Sequence, residues 1–419
     1  VKYGIGPSIN YMDKLKSYKQ KWHFSINFFS VFLLVTFIPD VIGITPRLVI
    51  YPYWAVKGTL ALLLIFNYKK KVYNLNLLEQ LFVFTAFVYF INMFIDIFMQ
   101  SYPIGIGSAF DLFSFLVSIL IALSFRYDKD FCSNESFYTF IITLGIGLII
   151  AFFLAQKSPP PLKGRFDANS TVNTINYGQM GCALCIIALY GLVNKTFKWS
   201  KLIFSLLFCL GALSIMKAGS RSPIVVLLVV TTIYTFARWG MLRGLLVSAS
   251  LGLLVYLSLD FLVEIGQSVD SGLADRVVNA LEKKETSGRD QIYANALRLF
   301  RESPLFGDFY LISSGIGRNG YPHNFFLEAF ITTGLLGGIP FVIMTMIAFV
   351  KSYRLLLNGH KSSWIVLMFL QLLIYGMFSS ALYSSQDFWA LCLFVLSVPI
   401  KEEVRKKKRQ RYPRESIAT

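Results

Sequence analysis

Apolar runs long enough to cross a bilayer recur from one end of this chain to the other, and a single water-facing core could not absorb them. Spans are expected near 24–45, 48–66, 77–99, 104–125, 137–155 and 177–194, then near 199–216, 222–238, 243–261, 325–350, 363–382 and 386–400. Pro39, Asp40, Pro46, Arg47 and Pro52 interrupt the first pair. The chain is 55% apolar, 16% aromatic and 15% charged, where a soluble domain is roughly 45–50% apolar. Its mean hydropathy is +0.58. The first run begins near Phe24, is too long for the apolar region of a signal peptide and lacks a small-residue cleavage site, so no cleavable leader is expected. The fold class that follows is an all-α polytopic membrane protein of about 12 transmembrane helices. Residues 1–260 hold nine spans with short loops, 261–322 one long loop, 323–400 three more spans and 401–419 a basic tail.

A net charge of +17 would suggest nucleic acid in a soluble protein, but here the distribution decides. Lys14, Lys16, Lys19 and Lys21, then Lys69, Lys70 and Lys71, then Arg126 and Lys129 cluster in short loops at alternate helix ends. Lys195, Lys198 and Lys201, Arg238 and Arg243, then Lys351, Arg354 and Lys361 continue the series into the tail. This positive-inside pattern puts both termini in the cytoplasm with an even number of spans, and reads the tail as an orientation signal or a contact with anionic lipid. No nucleic-acid partner is expected. The five cysteines are scattered, nearly all in apolar runs, and Cys182-x-x-Cys185 reads as small buried hydrophobes.

With the amino terminus inside, two outer segments stand out. One is 156–176, with Pro159-Pro160-Pro161 and then Lys163-Gly164-Arg165; the other is 261–322, far longer than adjacent spans require. The long loop reads as two amphipathic helices. Ser271 caps one carrying Leu273, Val277, Val278 and Leu281 on a single face. Ser287-Gly288-Arg289-Asp290 resembles a capping box that opens the other, with Ile292, Leu297 and Phe300 on its apolar side and a stop before Pro304.

Four basic residues fall on this outer side: Arg165 after the triple proline, Arg221 in Gly219-Ser220-Arg221-Ser222-Pro223, Arg289 in the first turn of the loop helix, and His323 in Pro322-His323-Asn324. An arginine inside a bilayer costs at least about 2.5 kcal/mol on insertion scales. A diphosphate would offset that for Arg221, because the guanidinium fork matches phosphate oxygens bidentately and stays charged. Arg165, Arg221 and Arg289 converging on one cleft would hold a lipid diphosphate and stabilise it as a leaving group. His323 would then accept a proton, since imidazole titrates near neutral pH. Plainer readings stand beside these: Arg221 as an interfacial anchor, Arg289 as a solvated polar-face charge, His323 as a helix cap, Arg165 as a headgroup contact. The case for chemistry is their joint placement on one side. Metal binding finds no support: His23 and His360, with His323 the complement of histidines, fall on the cytoplasmic side, and no helix offers paired ligands at metal spacing.

These residues resemble the O-antigen ligase and polymerase family, integral membrane glycosyltransferases that use undecaprenyl-diphosphate-linked glycans. His323-Asn324, nine residues, then Gly334-Leu335-Leu336-Gly337 fits the ligase pattern of His-Asn, a nine-residue gap and Gly-x-x-Gly. Gly288-Arg289-Asp290-Gln291-Ile292-Tyr293 with Glu302-Ser303-Pro304-Leu305-Phe306-Gly307 is similar to the family's Gly-Arg helix and Pro-Leu-x-Gly turn. Gly219-Ser220-Arg221-Ser222 is similar to its Ser-Arg element, and Gly164-Arg165 through Asn173, Ile175 and Gly178 to its Arg…Asn-x-Ile-x-x-Gly segment. The resemblance covers about the second half of the chain. Tyr293 stands where the family often has Trp, and Phe325 follows His-Asn where a polar residue is common, so acceptor contacts are expected to differ.

The resemblance implies a GT-C-like, cofactor-free, metal-independent, inverting transferase in the bacterial inner membrane with its active site facing the periplasm. Arg165, Arg221 and Arg289 would hold the donor diphosphate, with His323 and Arg289 as the catalytic pair. The leading expectation is an O-antigen ligase that moves a glycan from undecaprenyl diphosphate to lipid A–core. A polymerase would use the same donor and take a second lipid-linked glycan as acceptor. A glycolipid flippase or other transporter fits less well, because transporters place charge at the midplane of broken helices and often repeat their halves.

Overall fold

The computed structural model describes residues 46–67, 74–99, 106–126, 129–158, 164–169, 172–257, 273 and 288–399. The expected span at 24–45, the triple proline with Lys163, the amphipathic segment after Ser271 except Leu273, and the tail at 401–419 lie outside them. The remaining expected spans fall on helices: α1 (Pro46–Asn67), α2 (Leu77–Phe98), α3 (Ile106–Ser124), α4 (Asn134–Leu154), α5 (Thr174–Asn194), α6 (Ser200–Ala218), α7 (Ser222–Trp239) and α8 (Met241–Leu257). After the loop helix α9 (Arg289–Glu302) come α10 (Phe325–Leu357), α11 (Ser363–Gly376) and α12 (Gln386–Ser397). By length and composition, six of these helices can cross a membrane: α2, α4, α5, α6, α7 and α10.

The surface is that of a multi-pass membrane protein. Phe84, Phe87, Ile91, Phe94 and Phe98 are exposed along one face of α2. Water penalises such a stripe, whereas acyl chains wet it. Inside, Trp389 of α12 is fully buried with rings of Phe82, Tyr89, Phe115 and Phe341 around it at 5.6–6.4 Å. That cluster joins α2, α3, α10 and α12. A second set of contacts packs α5 against α6, and α7 against α5, α10 and α11. The two groups meet along α11.

Four departures from expectation bear on the site. The chain is not wholly helical: Gln156–Lys157 (β1) pairs antiparallel with Phe166–Asp167 (β2), a clip within the 156–176 segment. The helix α9 follows Gly288, which holds the cap position in left-handed conformation (φ 72°), while Ser287 of the expected capping box lies outside the described residues. On α9 it is Ala296 and Leu299 that are buried, with Ile292 and Phe300 packed beside them, while Leu297 is exposed. The 100° step per residue groups 292, 296, 299 and 300 and turns 297 away. The expected 363–382 span ends as a helix at Gly376, and residues 377–385 run as turns.

The fourth departure is a break in α10. Gly334 adopts φ 57°, ψ −150°, a backbone conformation closed to side chains with a Cβ. The break strips Leu335 and Leu336 of their intrahelical acceptors, and the loop supplies new ones: the Leu335 amide donates to the Pro304 carbonyl (2.8 Å) and the Leu336 amide to the Leu305 carbonyl (3.2 Å). The Asp308 amide completes the dock by donating to the Ile331 carbonyl at 2.6 Å. Thus the Pro-Leu-x-Gly turn and the Gly-x-x-Gly segment are one structural unit. It pins the loop helix against the bundle.

Candidate functional site

Hydrogen bonds join the beginnings of α5, α7 and α10 to the ends of α4, α6 and α11 and to the turns before α12, and the candidate residues lie at this end of the bundle. Arg289 opens α9 and reaches the turns after α11, where its Nη2 donates to the Ser379 hydroxyl at 2.9 Å. Among the described residues no carboxylate sits within ion-pair distance of it; by contrast, Arg298 on the same helix pairs with Glu302 four residues on. Ser379 lies 3.5 Å from the Ser222 hydroxyl, which is 3.4 Å from that of Ser220. Arg289 is therefore linked through three hydroxyls to the turn that carries Arg221.

That turn is a helix-to-helix junction. Gly219 ends α6 with φ 71°, Arg221 occupies the cap position of α7, and Pro223 sits in the first turn of α7, where its missing amide costs nothing. A side chain at Gly219 would meet the Gly164 carbonyl at 2.8 Å and the Arg165 Cγ at 3.2 Å, so Arg165 lies directly against this junction. The β1–β2 clip holds it there. The Asp167 carboxylate accepts from the Thr174 amide (2.6 Å) and the Ser158 hydroxyl (2.9 Å), while the Thr174 hydroxyl donates to the Ala218 carbonyl. Lys217 donates to the Phe152 carbonyl and stands over the Phe152 and Phe166 rings. Arg165 and Arg221 are thus neighbours across Gly219, and Arg221 is joined to Arg289 by serines.

His323 is on the other flank of Arg289. Its backbone has φ 55°, unusual for a residue with a side chain, and its ring meets Tyr321 edge-on at 4.4 Å. The imidazole Nδ1 is buried without a hydrogen-bond partner among the described residues. Burial, then the Arg289 charge, lower its pKa to about 4, so the ring is neutral at pH 7. Tyr321 is pushed upward by burial and by Glu328, with Arg289 opposing. His323 does not cap α10. Asn324 does, accepting from the amides of Phe326 (2.9 Å) and Leu327 (3.2 Å). The plainer reading of His323 as a helix cap is thereby removed.

Sequence reasoning missed three contributors. Ser379 is one of many serines and carried no signal. Tyr321 lies two residues before His323 and was passed over. Glu328 is fully buried in the first turn of α10, accepting from the Tyr89 hydroxyl (2.8 Å) and the amides of Leu382 (2.8 Å) and Tyr383 (3.1 Å). It fixes the turns that present Ser379. A lone carboxylate in an apolar span is a functional flag by default, and that signal was available.

Taken together, the geometry offers guanidinium groups, helix amino ends and a neutral imidazole at one edge of the bundle. Such a set can hold a multiply charged phosphate and accept a proton beside it. The family model described as O-antigen ligase matches residues 204–342. The matched stretch contains Arg221, Arg289, the Pro304–Gly334 unit and His323, and stops short of Arg165. No curated protein matches the chain.

Proposed function

From the match of residues 204–342 to the family model described as O-antigen ligase, we propose that this protein transfers a glycan from undecaprenyl diphosphate to a sugar hydroxyl of lipid A–core at the periplasmic face of the inner membrane. The observation that carries the reading is that Arg289 lies close enough to His323 for its charge to act on the imidazole. A guanidinium whose hydrogen-bond partner among the described residues is a hydroxyl stands near an imidazole that burial, and then the guanidinium's own charge, keep neutral.

The chemistry follows from that pair. Arg289, Arg221 and Arg165 bind the diphosphate oxygens. Bound anion offsets the Arg289 charge, and the His323 pKa rises toward its ordinary value. The imidazole can then take the proton of the acceptor hydroxyl as its oxygen attacks the anomeric carbon from the face opposite the diphosphate. The bond from that carbon to the diphosphate oxygen breaks, its electron pair leaves on the diphosphate, and the arginines stabilise the charge. Anomeric configuration inverts.

Deleting the gene and resolving lipopolysaccharide on a gel tests the assignment. A ligase deletion leaves core without O-antigen while lipid-linked polymer accumulates. A band of core carrying one repeat unit would instead mark a polymerase, and an unchanged ladder would sink both.

A further inference from the structure

Beside the diphosphate patch lies a second polar space. A cavity of about 280 Å³ is lined by Trp54 and Lys57 of α1, Asn176 and Gln179 of α5, Tyr375 of α11 and Asp387 of α12. Lys57 is buried in the middle of α1, with its ammonium over the Tyr53 (5.1 Å) and Trp54 (4.9 Å) rings. It and Asp387 act on each other electrostatically without closing to ion-pair distance. Two opposite charges held apart in an apolar bundle lose water and forgo the hydrogen bonds of a closed pair. Among the described residues the Asp387 carboxylate accepts only from the Gln386 side-chain amide (3.2 Å), a costly arrangement unless something fits between the charges. The Tyr375 hydroxyl supplies a second sign: it is buried without a hydrogen-bond partner among the described residues.

The balance of groups selects the occupant. One ammonium and one carboxylate cancel, so a phosphate would gain from Lys57 and lose to Asp387. Amides donate and accept, as sugar hydroxyls do, and can engage neighbouring hydroxyls in pairs. Trp54 adds a flat apolar face for ring C–H groups. The volume is at the low end for ligand sites and suits a single ring rather than an oligosaccharide. Phe325, two residues past His323, lines the same cavity, and Tyr375 lies in the field of Arg289.

Resting on the transferase reading above, we propose that this cavity is a subsite for one uncharged sugar residue adjoining the reacting bond, from either the donor glycan or the acceptor. Lys57, Asp387, Asn176 and Gln179 bind its hydroxyls.

The test uses the full chain in lipid nanodiscs, with lipid-linked glycan as donor and lipid A–core as acceptor. Gln179→Leu removes an amide at similar size; Asn176→Leu is the second variant, at an exposed position that tolerates change if the first fails to fold. KM for one substrate should rise tenfold or more while kcat falls less than threefold, and the substrate affected identifies the source of the sugar. Unchanged KM for both substrates in an active enzyme overturns the subsite and leaves the transferase reading intact. Should the wild type transfer nothing, the transferase reading fails. The cavity is then read by saturation-transfer NMR with methyl glycosides of neutral hexoses and N-acetylhexosamines. Signal at least halved in the variant upholds sugar binding; equal signal, or none on the wild type, overturns it.

Discussion

The Arg289 guanidinium donates to the Ser379 hydroxyl at 2.9 Å, joining the loop helix α9 to turns that lie ninety residues further along the chain. Ser379 orients the fork, and among the described residues no carboxylate compensates the charge. Arg289→Ala should therefore abolish transfer while the protein still inserts. Ser379→Ala, which removes one positioning hydrogen bond of about 1 kcal/mol, should cost roughly fivefold in kcat/KM. Equal losses in the two variants would mean that the serine does more than orient.

Arg221→Lys probes whether the second guanidinium binds phosphate through its fork. An ammonium keeps the charge but cannot bridge two oxygens. Transfer should fall by at least a factor of ten at matched expression, and wild-type turnover in this variant would return Arg221 to the role of an interfacial anchor.

His323 holds a left-handed backbone (φ 55°). That conformation costs about 1 kcal/mol or more for a residue with a Cβ, and the cost vanishes with glycine. His323→Gly should raise the thermal midpoint of the purified protein while abolishing transfer. A midpoint that falls would mean that the imidazole packs more favourably than its backbone is strained.

The same imidazole sets a pH dependence. Its pKa in the folded protein is about 4, below the ordinary 6.5, so between those values the unfolded chain binds more protons. Stability then rises with pH across that window and gains nothing further from this group above it. The difference in thermal midpoint between wild type and His323→Gln should change between pH 4 and 6.5 in the direction of wild type losing more on acidification. A constant difference would be incompatible with a buried neutral ring.

Gly334→Ala tests the docking unit. Its φ 57°, ψ −150° excludes alanine, at a cost of about 1–3 kcal/mol from the backbone alone, and the added Cβ would meet the Leu305 carbonyl. The variant should lower the thermal midpoint and reduce transfer, because Pro304 and Leu305 would lose the Leu335 and Leu336 amides that hold α9 in place. Unaltered stability would show that the break is incidental.

Much of the fold was legible because the solvent is lipid: a helix that must satisfy its own backbone in hydrocarbon announces itself as a long apolar run. The Gly219–Pro223 junction was legible for a related reason, since a glycine stop followed by proline in a first turn is local backbone chemistry. The resemblance likewise located Arg221, Arg289 and His323, each inside the matched domain. What the sequence could not carry were relations between distant segments. No local pattern says that Pro304 will receive the Leu335 amide, that Glu328 will gather Leu382 and Tyr383, or that Lys57 and Asp387 will face one cavity.

The chain by itself determined that it is a helical membrane protein with its unusual basic residues gathered on one side, because hydropathy and charge act on each segment independently. Only the tertiary structure decided which of those residues meet. Arg289 is brought within electrostatic reach of His323 by the docking at the Gly334 break, since hydrogen bonds freed in one helix are recovered by a loop whose place in space no stretch of sequence contains.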